Sequence, residues 1–297
     1  MKKHVVESRN LEAVSPMFRG ENREWIRKIA MRLFGIDKVN DLYERSCTLK
    51  GAEFVESILD DLGVKYIVGN PERLSALPEG AFITVSNHPY GGLDGIMLID
   101  LMAHLRPDYK VMVNQFLSLV EAMNENFISV IPKVGKKSPN PTAVLNSIRE
   151  TLNRLKEGHP IGFFPAGAVS MYFLSTLSIR DRQWQEGVLK IIQKSNVPVV
   201  PIRFFDRNSR FFYFLGAINW RVRLVRMSHE LFNKRGKLQR IGIGNLIKPE
   251  QISACKNIKE LNKLLRKSVY KMPLPENWKT QEDHKSNFEQ SLIEKIV

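Results

Sequence analysis

His88 and Asp94 are the residues of this chain best suited by type and spacing to do chemistry. They lie in Ser86-Asn87-His88-Pro89-Tyr90-Gly91-Gly92-Leu93-Asp94-Gly95, directly after the apolar run Ala81 to Val85. A histidine held and polarised by a carboxylate can take a proton from a hydroxyl near neutral pH. Pro89 and the Gly91-Gly92 pair let the chain double back, so that the two side chains can meet. A tight turn with a surface histidine and a helix-capping aspartate has the same pattern. Two later stretches bear on the choice: Phe164-Pro165-Ala166-Gly167-Ala168-Val169-Ser170 and Val197-Pro198-Val199-Val200-Pro201-Ile202.

In this order and rough spacing the three stretches resemble the signature blocks of the glycerolipid acyltransferases, the family that includes 1-acylglycerol-3-phosphate acyltransferase. The resemblance covers about residues 65 to 205. The interval between His88 and Asp94 is one residue longer than is usual there, and the His-Pro-x-Gly-x-x-Asp-Gly form looks like the bacterial lyso-ornithine-lipid and hemolysin-like subgroup. The family's phosphate-accepting members carry a glutamate and an arginine where this chain has Ala166 and Val169. An arginine offers a fork of donors suited to phosphate, and valine offers none. That departure argues against a lysophosphatidic acid acceptor.

Acyl transfer from a thioester to a hydroxyl needs a base for the hydroxyl and donors for the oxyanion. The resemblance makes His88 the base and Asp94 the group that orients it, without an acyl-enzyme. It makes Asn87, Gly92, Phe164, Pro165, Gly167 and Ser170 substrate-binding residues. Lys133 falls near the family's acceptor-binding block, where a ligand role competes with a plain basic loop. Arg180 and Arg182 are candidates to replace the missing arginine. No Gly-x-Ser-x-Gly elbow is present and neither Cys47 nor Cys255 lies near a block, so a hydrolase-type nucleophile is not expected. His104, His159, His229 and His284 are scattered without carboxylate or cysteine partners at ligand spacing. A metal at His88 and Asp94 lacks a third ligand, so no metal and no bound cofactor is expected. Acyl carrier protein or acyl-CoA enters as co-substrate.

The 297 residues carry a formal net charge of +14, with 43% hydrophobic residues. Such a charge favours an anionic partner: nucleic acid, an anionic bilayer or an acidic carrier protein. From Ser209 to Arg240 eight basic residues face one acid, Glu230. This reads as a solvated basic face or as an anion-binding one. No nucleic-acid motif accompanies it, so nucleic acid is not expected as a partner. The two cysteines suggest a reducing compartment. No apolar run is long enough to span a bilayer, and the first residues lack the apolar core of a signal peptide. The expected location is cytoplasmic, peripheral on the cytoplasmic face of the inner membrane.

Three segments must position these groups. Residues 1–62 read as a helical, membrane-associating segment, 63–250 as an α/β acyltransferase domain, and 251–297 as a basic helix and tail. Glu24 to Phe34 places Trp25, Ile26, Ile29, Ala30, Leu33 and Phe34 on one stripe with Arg27, Lys28 and Arg32 opposite. That fits an interfacial helix as well as one docked on the protein's own core. Beyond residue 63, strand-like runs (Ala81–Ser86, Tyr109–Val113, Phe127–Pro132, Ile161–Phe164, Pro198–Phe204) alternate with amphipathic stretches. One stretch carries Phe116, Leu119, Val120 and Met123; a second runs from Leu145 to Leu155; a third from Gln185 to Lys194. The pattern predicts a layered α/β domain with a central, mostly parallel or mixed sheet. Phe211 to Leu215 reads as a buried strand or part of an apolar surface, Arg240 to Gly244 as an edge strand, and Ser253 to Met272 as a helix. Overall, the sequence points to an O-acyltransferase acting on a lyso-lipid hydroxyl, with a lyso-amino-acid lipid such as lyso-ornithine or lyso-glycine lipid favoured. The alternatives are a 1-acylglycerol-3-phosphate acyltransferase and an inactive basic lipid-binding protein on the same scaffold.

Overall fold

Short β-branched and apolar runs make the centre of the sheet because strands buried on both faces need no polar alternation. The computed structural model describes residues 3–14, 16–114, 117, 119–130, 141–219, 222–223 and 226–283. The strands are β1 (Lys65–Gly69), β2 (Ile83–Ser86), β3 (Lys110–Asn114), β4 (Phe127–Val130), β5 (Ile161–Phe163), β6 (Met171–Phe173), β7 (Ser178–Arg180), β8 (Val199–Phe204), β9 (Leu238–Ile243) and β10 (Trp278–Thr280). Eight of them form one sheet in the order β10-β1-β9-β8-β2-β5-β3-β4, and β6 with β7 makes a separate hairpin. From β8 to β4 every pairing is parallel. β9 runs antiparallel to β8 but parallel to β1, and β10 closes the far edge antiparallel. The domain is α/β with a mixed sheet, as the alternating pattern predicts.

The helices are α1 (Leu11–Val14), α2 (Glu24–Leu33), α3 (Ile36–Ser46), α4 (Gly51–Leu62), α5 (Gly92–Ala103), α6 (Pro141–Lys156), α7 (Glu186–Ser195), α8 (Arg210–Ile218), α9 (Met227–Phe232), α10 (Pro249–Ser253) and α11 (Ile258–Tyr270). Leu42, Phe54, Leu59, Leu98 and Met102 from α3, α4 and α5 pack with Val111, Val200 and Ile202 of the sheet. Leu155, Leu189, Ile192, Leu261 and Leu265 from α6, α7 and α11 pack with Ile83, Val85, Ile161 and Val199. Val199 and Val200 thus serve different clusters, as alternating side chains of one strand must. β2 and β5 sit in the middle, so the loops at their carboxyl ends open between the two layers.

Four expectations change. Phe211 to Leu215 is helix, so of its two readings the strand falls and the apolar surface holds in part: Ser209 caps α8 by accepting a hydrogen bond from Phe212 N at 3.1 Å. Phe212 and Tyr213 are buried, whereas Phe211, Phe214 and Ile218 are exposed. Arg240 to Ile243 belongs to β9, which lies inside the sheet rather than at its edge. Of the stretch around Val120 and Met123, Met123 lies in a 3₁₀ turn over Glu121–Asn126, Val120 sits just before that turn, and Phe116 lies outside the described residues. In α2 the stripe divides: Ala30 and Met31 are buried against Leu11 and Phe18, while Trp25, Ile29 and Leu33 are exposed. Arg27, expected on the polar face, is buried and donates to Phe18 O, Gly20 O and Glu12.

The basic run from residue 209 to 240 is only partly a free surface. Arg223 and Lys234 are buried. Lys234 pairs with Glu230 at 3.2 Å, Arg240 pairs with Asp206, and Arg235 donates to Leu62 O and Asp61 O at the end of α4. Arg221 lies outside the described residues. Among the described residues no helix is long and apolar enough to cross a membrane.

Candidate active site

The histidine loop leaves β2 at Ser86 and is braced from several sides. Asn87 exchanges two hydrogen bonds with the backbone of Phe204 at the end of β8, at 2.8 and 2.9 Å. Tyr213 of α8 donates to Pro89 O, Asn208 donates to Tyr90 O, and the Tyr90 hydroxyl donates to Gln239 of β9. Gly91 turns the chain at φ +92°, a conformation that side chains resist, and α5 starts at Gly92.

Asp94, in the first turn of α5, is wholly buried. Its Oδ2 accepts from Tyr90 N at 3.0 Å and Gly91 N at 3.3 Å, and its Oδ1 accepts from Gly95 N. The carboxylate is therefore fixed before it meets the histidine. His88 Nδ1 stands 2.9 Å from Oδ2, close enough for an ion pair though off the line of a ring hydrogen bond. Burial pushes the imidazole pKa down, but the charge and contact of Asp94, and beyond them the charge of Asp181, win, and it ends above its usual value. With Nδ1 turned to the carboxylate, Nε2 remains for chemistry. Phe164 stacks on the ring at 4.4 Å between centroids.

The Phe-Pro loop at the end of β5 meets this turn directly. Ser170 N donates to His88 O at 2.8 Å, and Gly167 N closes a turn on Phe164 O. Gly167 has φ +60°, and a Cβ there would collide with the Gln185 amide. Pro165 O accepts from Gln185 N, so this residue anchors the loop to α7. Ala166 is buried among α6 and α7 side chains, and Val169 is buried with Phe212 and Tyr213. Both positions are packing positions.

A cavity of about 230 Å³ is lined in part by His88, Gly91, Gly92, Phe164 and Gly167. It continues among apolar residues of α3, α4, α5 and β3, including Leu42, Phe54, Ile96, Ile99 and Val111. Gly92, at the first position of α5, brings a helix N-terminus with unpaired N–H groups to this cavity.

The structure thus brings together His88, Asp94, Gly92, Phe164 and Gly167. Asn87, Pro165 and Ser170 belong to the same loops, but their hydrogen bonds hold the loops in place. Arg180 stacks on Phe173 at 4.6 Å, and the Arg182 carbonyl accepts from Arg266; neither arginine lines the cavity. Lys133 and His284 lie outside the described residues. His104 and His159 do have carboxylates beside them, Glu56 at 3.3 Å and Asp108 at 2.7 Å, so their isolation in sequence does not persist in space. Among the described residues no three His, Cys, Asp or Glu side chains converge as a metal site. Sequence reasoning passed over Asp181, which accepts hydrogen bonds from both His88 N and Ser170 Oγ; only its position after the Phe-Pro block could have marked it.

A histidine paired with a buried carboxylate and lining an apolar cavity is an arrangement that suits a substrate with a polar reacting group and a hydrocarbon tail. Sequence comparison agrees: the chain belongs to the Acyltransferase family, whose family model matches residues 12–275, and it is an acyltransferase. It is 27% identical over 244 residues to the lyso-glycine lipid O-acyltransferase of Bacteroides thetaiotaomicron, covering 80% of this chain and 85% of that one. The enzyme of the same description from Phocaeicola vulgatus is 26% identical over 244 residues, covering 80% and 83%. Among solved structures, the 1-acyl-sn-glycerophosphate (LPA) acyltransferase PlsC from Thermotoga maritima superposes with a TM-score of 0.45 at 14% identity, covering 82% of this chain and 92% of that one.

Proposed function

We propose that this protein is an O-acyltransferase that moves a fatty acyl group from an acyl carrier protein or coenzyme A thioester to the free hydroxyl of a lyso-amino-acid lipid, of the lyso-glycine or lyso-ornithine type. The observation that carries the reading is His88, lining an apolar cavity and held 2.9 Å from a buried, pre-fixed Asp94. His88 Nε2 takes the hydroxyl proton as the oxygen attacks the thioester carbonyl. The oxyanion forms at the N-terminus of α5, beside Gly92. Collapse expels the thiolate, which recovers the proton from His88, leaving an ester and a free thiol. Asp94 stabilises the imidazolium in between.

Two observations support the acceptor class. The relatives named above are lyso-glycine lipid O-acyltransferases. Ala166 and Val169 are buried, so the Phe-Pro loop offers no cation to a phosphate. The bilayer that carries such lipids fits the exposed apolar residues: Trp25, Ile29 and Leu33 of α2, Leu174 and Leu177 of the β6–β7 hairpin, and Phe214 and Ile218 of α8. We place the protein on the cytoplasmic side of the membrane, bound peripherally. The test offers lyso-glycine lipid, lyso-ornithine lipid and lysophosphatidic acid to the purified protein with one donor. A higher kcat/KM for an amino-acid lipid is expected, and a preference for lysophosphatidic acid would move the substrate to the phospholipid alternative.

A further inference from the structure

Asp181 is enclosed, with only 2% of its surface exposed, and it joins three parts of the active site. Its Oδ1 accepts from His88 N at 3.2 Å and from Ser170 Oγ at 2.5 Å. Ser170 N donates in turn to His88 O at 2.8 Å, so His88 and Ser170 are locked in a closed ring of hydrogen bonds. From α11, Tyr270 accepts from Asp181 N at 3.2 Å. Asp181 Oδ2 is shut away from solvent with no hydrogen-bond partner. Among the described residues no lysine or arginine pairs with this carboxylate.

A buried carboxylate without a cation is costly, and natural structures retain one where something compensates it. Here the missing positive charge is the one that appears when His88 takes the substrate proton. We infer that Asp181 is a second, positioning carboxylate of the base: it fixes the His88 backbone through its hydrogen bonds and stabilises the imidazolium through its charge. This rests on the reading of His88 as base. Asp94 faces the ring from α5 and fixes Nδ1; Asp181 faces the backbone from the segment after β7. The other polar groups around the loop are already committed. Tyr213 donates to Pro89 O, Arg223 donates to Ser170 O, and Lys234, Asp206 and Arg240 form ion pairs on the Tyr90 side. Stabilisation present in the charged state and absent in the resting one acts on the barrier rather than on substrate binding.

The test follows the His88 ring signals by NMR through a pH titration of the full chain, and measures acyl transfer from acyl-CoA to lyso-glycine lipid over the same range. Asp181→Asn keeps the acceptor oxygen and removes the charge. The His88 midpoint is expected to move to lower pH, kcat to fall about ten- to a hundred-fold, and KM to stay within about twofold of wild type. Ser170→Ala removes one donor and leaves the charge, so the midpoint is expected to stay or rise. An unmoved midpoint in Asp181→Asn, or a lowered one in Ser170→Ala, would overturn the inference by leaving Asp181 a purely structural residue. A midpoint that moves as expected while acyl transfer ignores it would sustain the coupling and sink His88 as base.

Discussion

Val169 of the Phe-Pro loop packs over Gly91 of the histidine loop: a Cβ at residue 91 would lie 3.0 Å from Val169 Cγ2 and 2.7 Å from Met227 Sδ. No side chain fits between the two loops at this position. Val169→Arg should therefore fail to create a phosphate site. Overpacking of this kind costs about 1–3 kcal/mol, so thermal unfolding should show a lowered Tm, with activity reduced on every acceptor. A stable Val169→Arg protein that turns to lysophosphatidic acid would show the loop to be looser than it is here.

The pH dependence of kcat/KM follows from the His88 environment. In the proposed mechanism His88 works unprotonated, so activity should rise with pH as it loses its proton. Burial works against the proton, but Asp94 and Asp181 more than compensate, placing that rise above the usual 6.5. Asp94→Asn removes one of these charges, so the rise should shift to lower pH while the maximal rate drops about 10²–10⁴-fold. An unshifted profile would separate Asp94 from the titrating group.

Gly95 lines the cavity from α5, and a Cβ there meets only Phe164 Cε2, at 4.0 Å. A larger side chain has room to enter the cavity without disturbing the fold. Gly95→Leu should keep or raise Tm, because glycine in a helix costs about 0.5–1 kcal/mol relative to alanine. Its kcat/KM should fall most for long-chain donors, which a series of acyl-CoA lengths would reveal. An unchanged chain-length profile would mean the acyl group lies elsewhere.

Membrane binding should depend on the exposed apolar residues more than on the basic run. Trp25→Ala and Phe214→Ala, at sites 63% and 60% exposed, should each weaken co-sedimentation with vesicles about tenfold or more, given 1.5–3 kcal/mol for burying such a side chain. The net charge of +14 should still favour anionic over neutral vesicles, with binding falling as salt rises. Reversing Arg223, by contrast, should unfold the loop it supports, because it is buried and donates to Ser170 O. Equal binding by wild type and both alanine variants would remove α2 and α8 from the membrane face.

The parts of this fold visible in the sequence are those whose signal is local. The parallel strands β2, β3, β4, β5 and β8 announce themselves as apolar runs, whereas β1 (Lys65–Gly69) does not, and the His88–Asp94 pair is marked by its glycine turn. What tertiary packing decides was not visible. Phe211 to Phe214 is apolar in four consecutive positions, so only the neighbours of Phe212 and Tyr213 reveal a helix with one buried face. β9 alternates like an edge strand, yet β1 reaches across to cover it. Arg27 and Arg223 count as surface charge until their backbone carbonyl partners appear. Asp181 sits between two arginines and reads as part of a charged loop; only folding brings Ser170 and His88 against it.

His88 lines the cavity while its backbone is held by the Phe-Pro loop, and the proposed acyl transfer depends on it. The measurement is product formation by mass spectrometry, with lyso-glycine lipid and an acyl thioester, for wild type and His88→Ala at matched, verified folding. Wild type should yield the acylated lipid, and His88→Ala should lose about 10²–10⁴-fold in rate with little change in Tm. A folded His88→Ala protein that forms product at the wild-type rate would show that His88 is not the base.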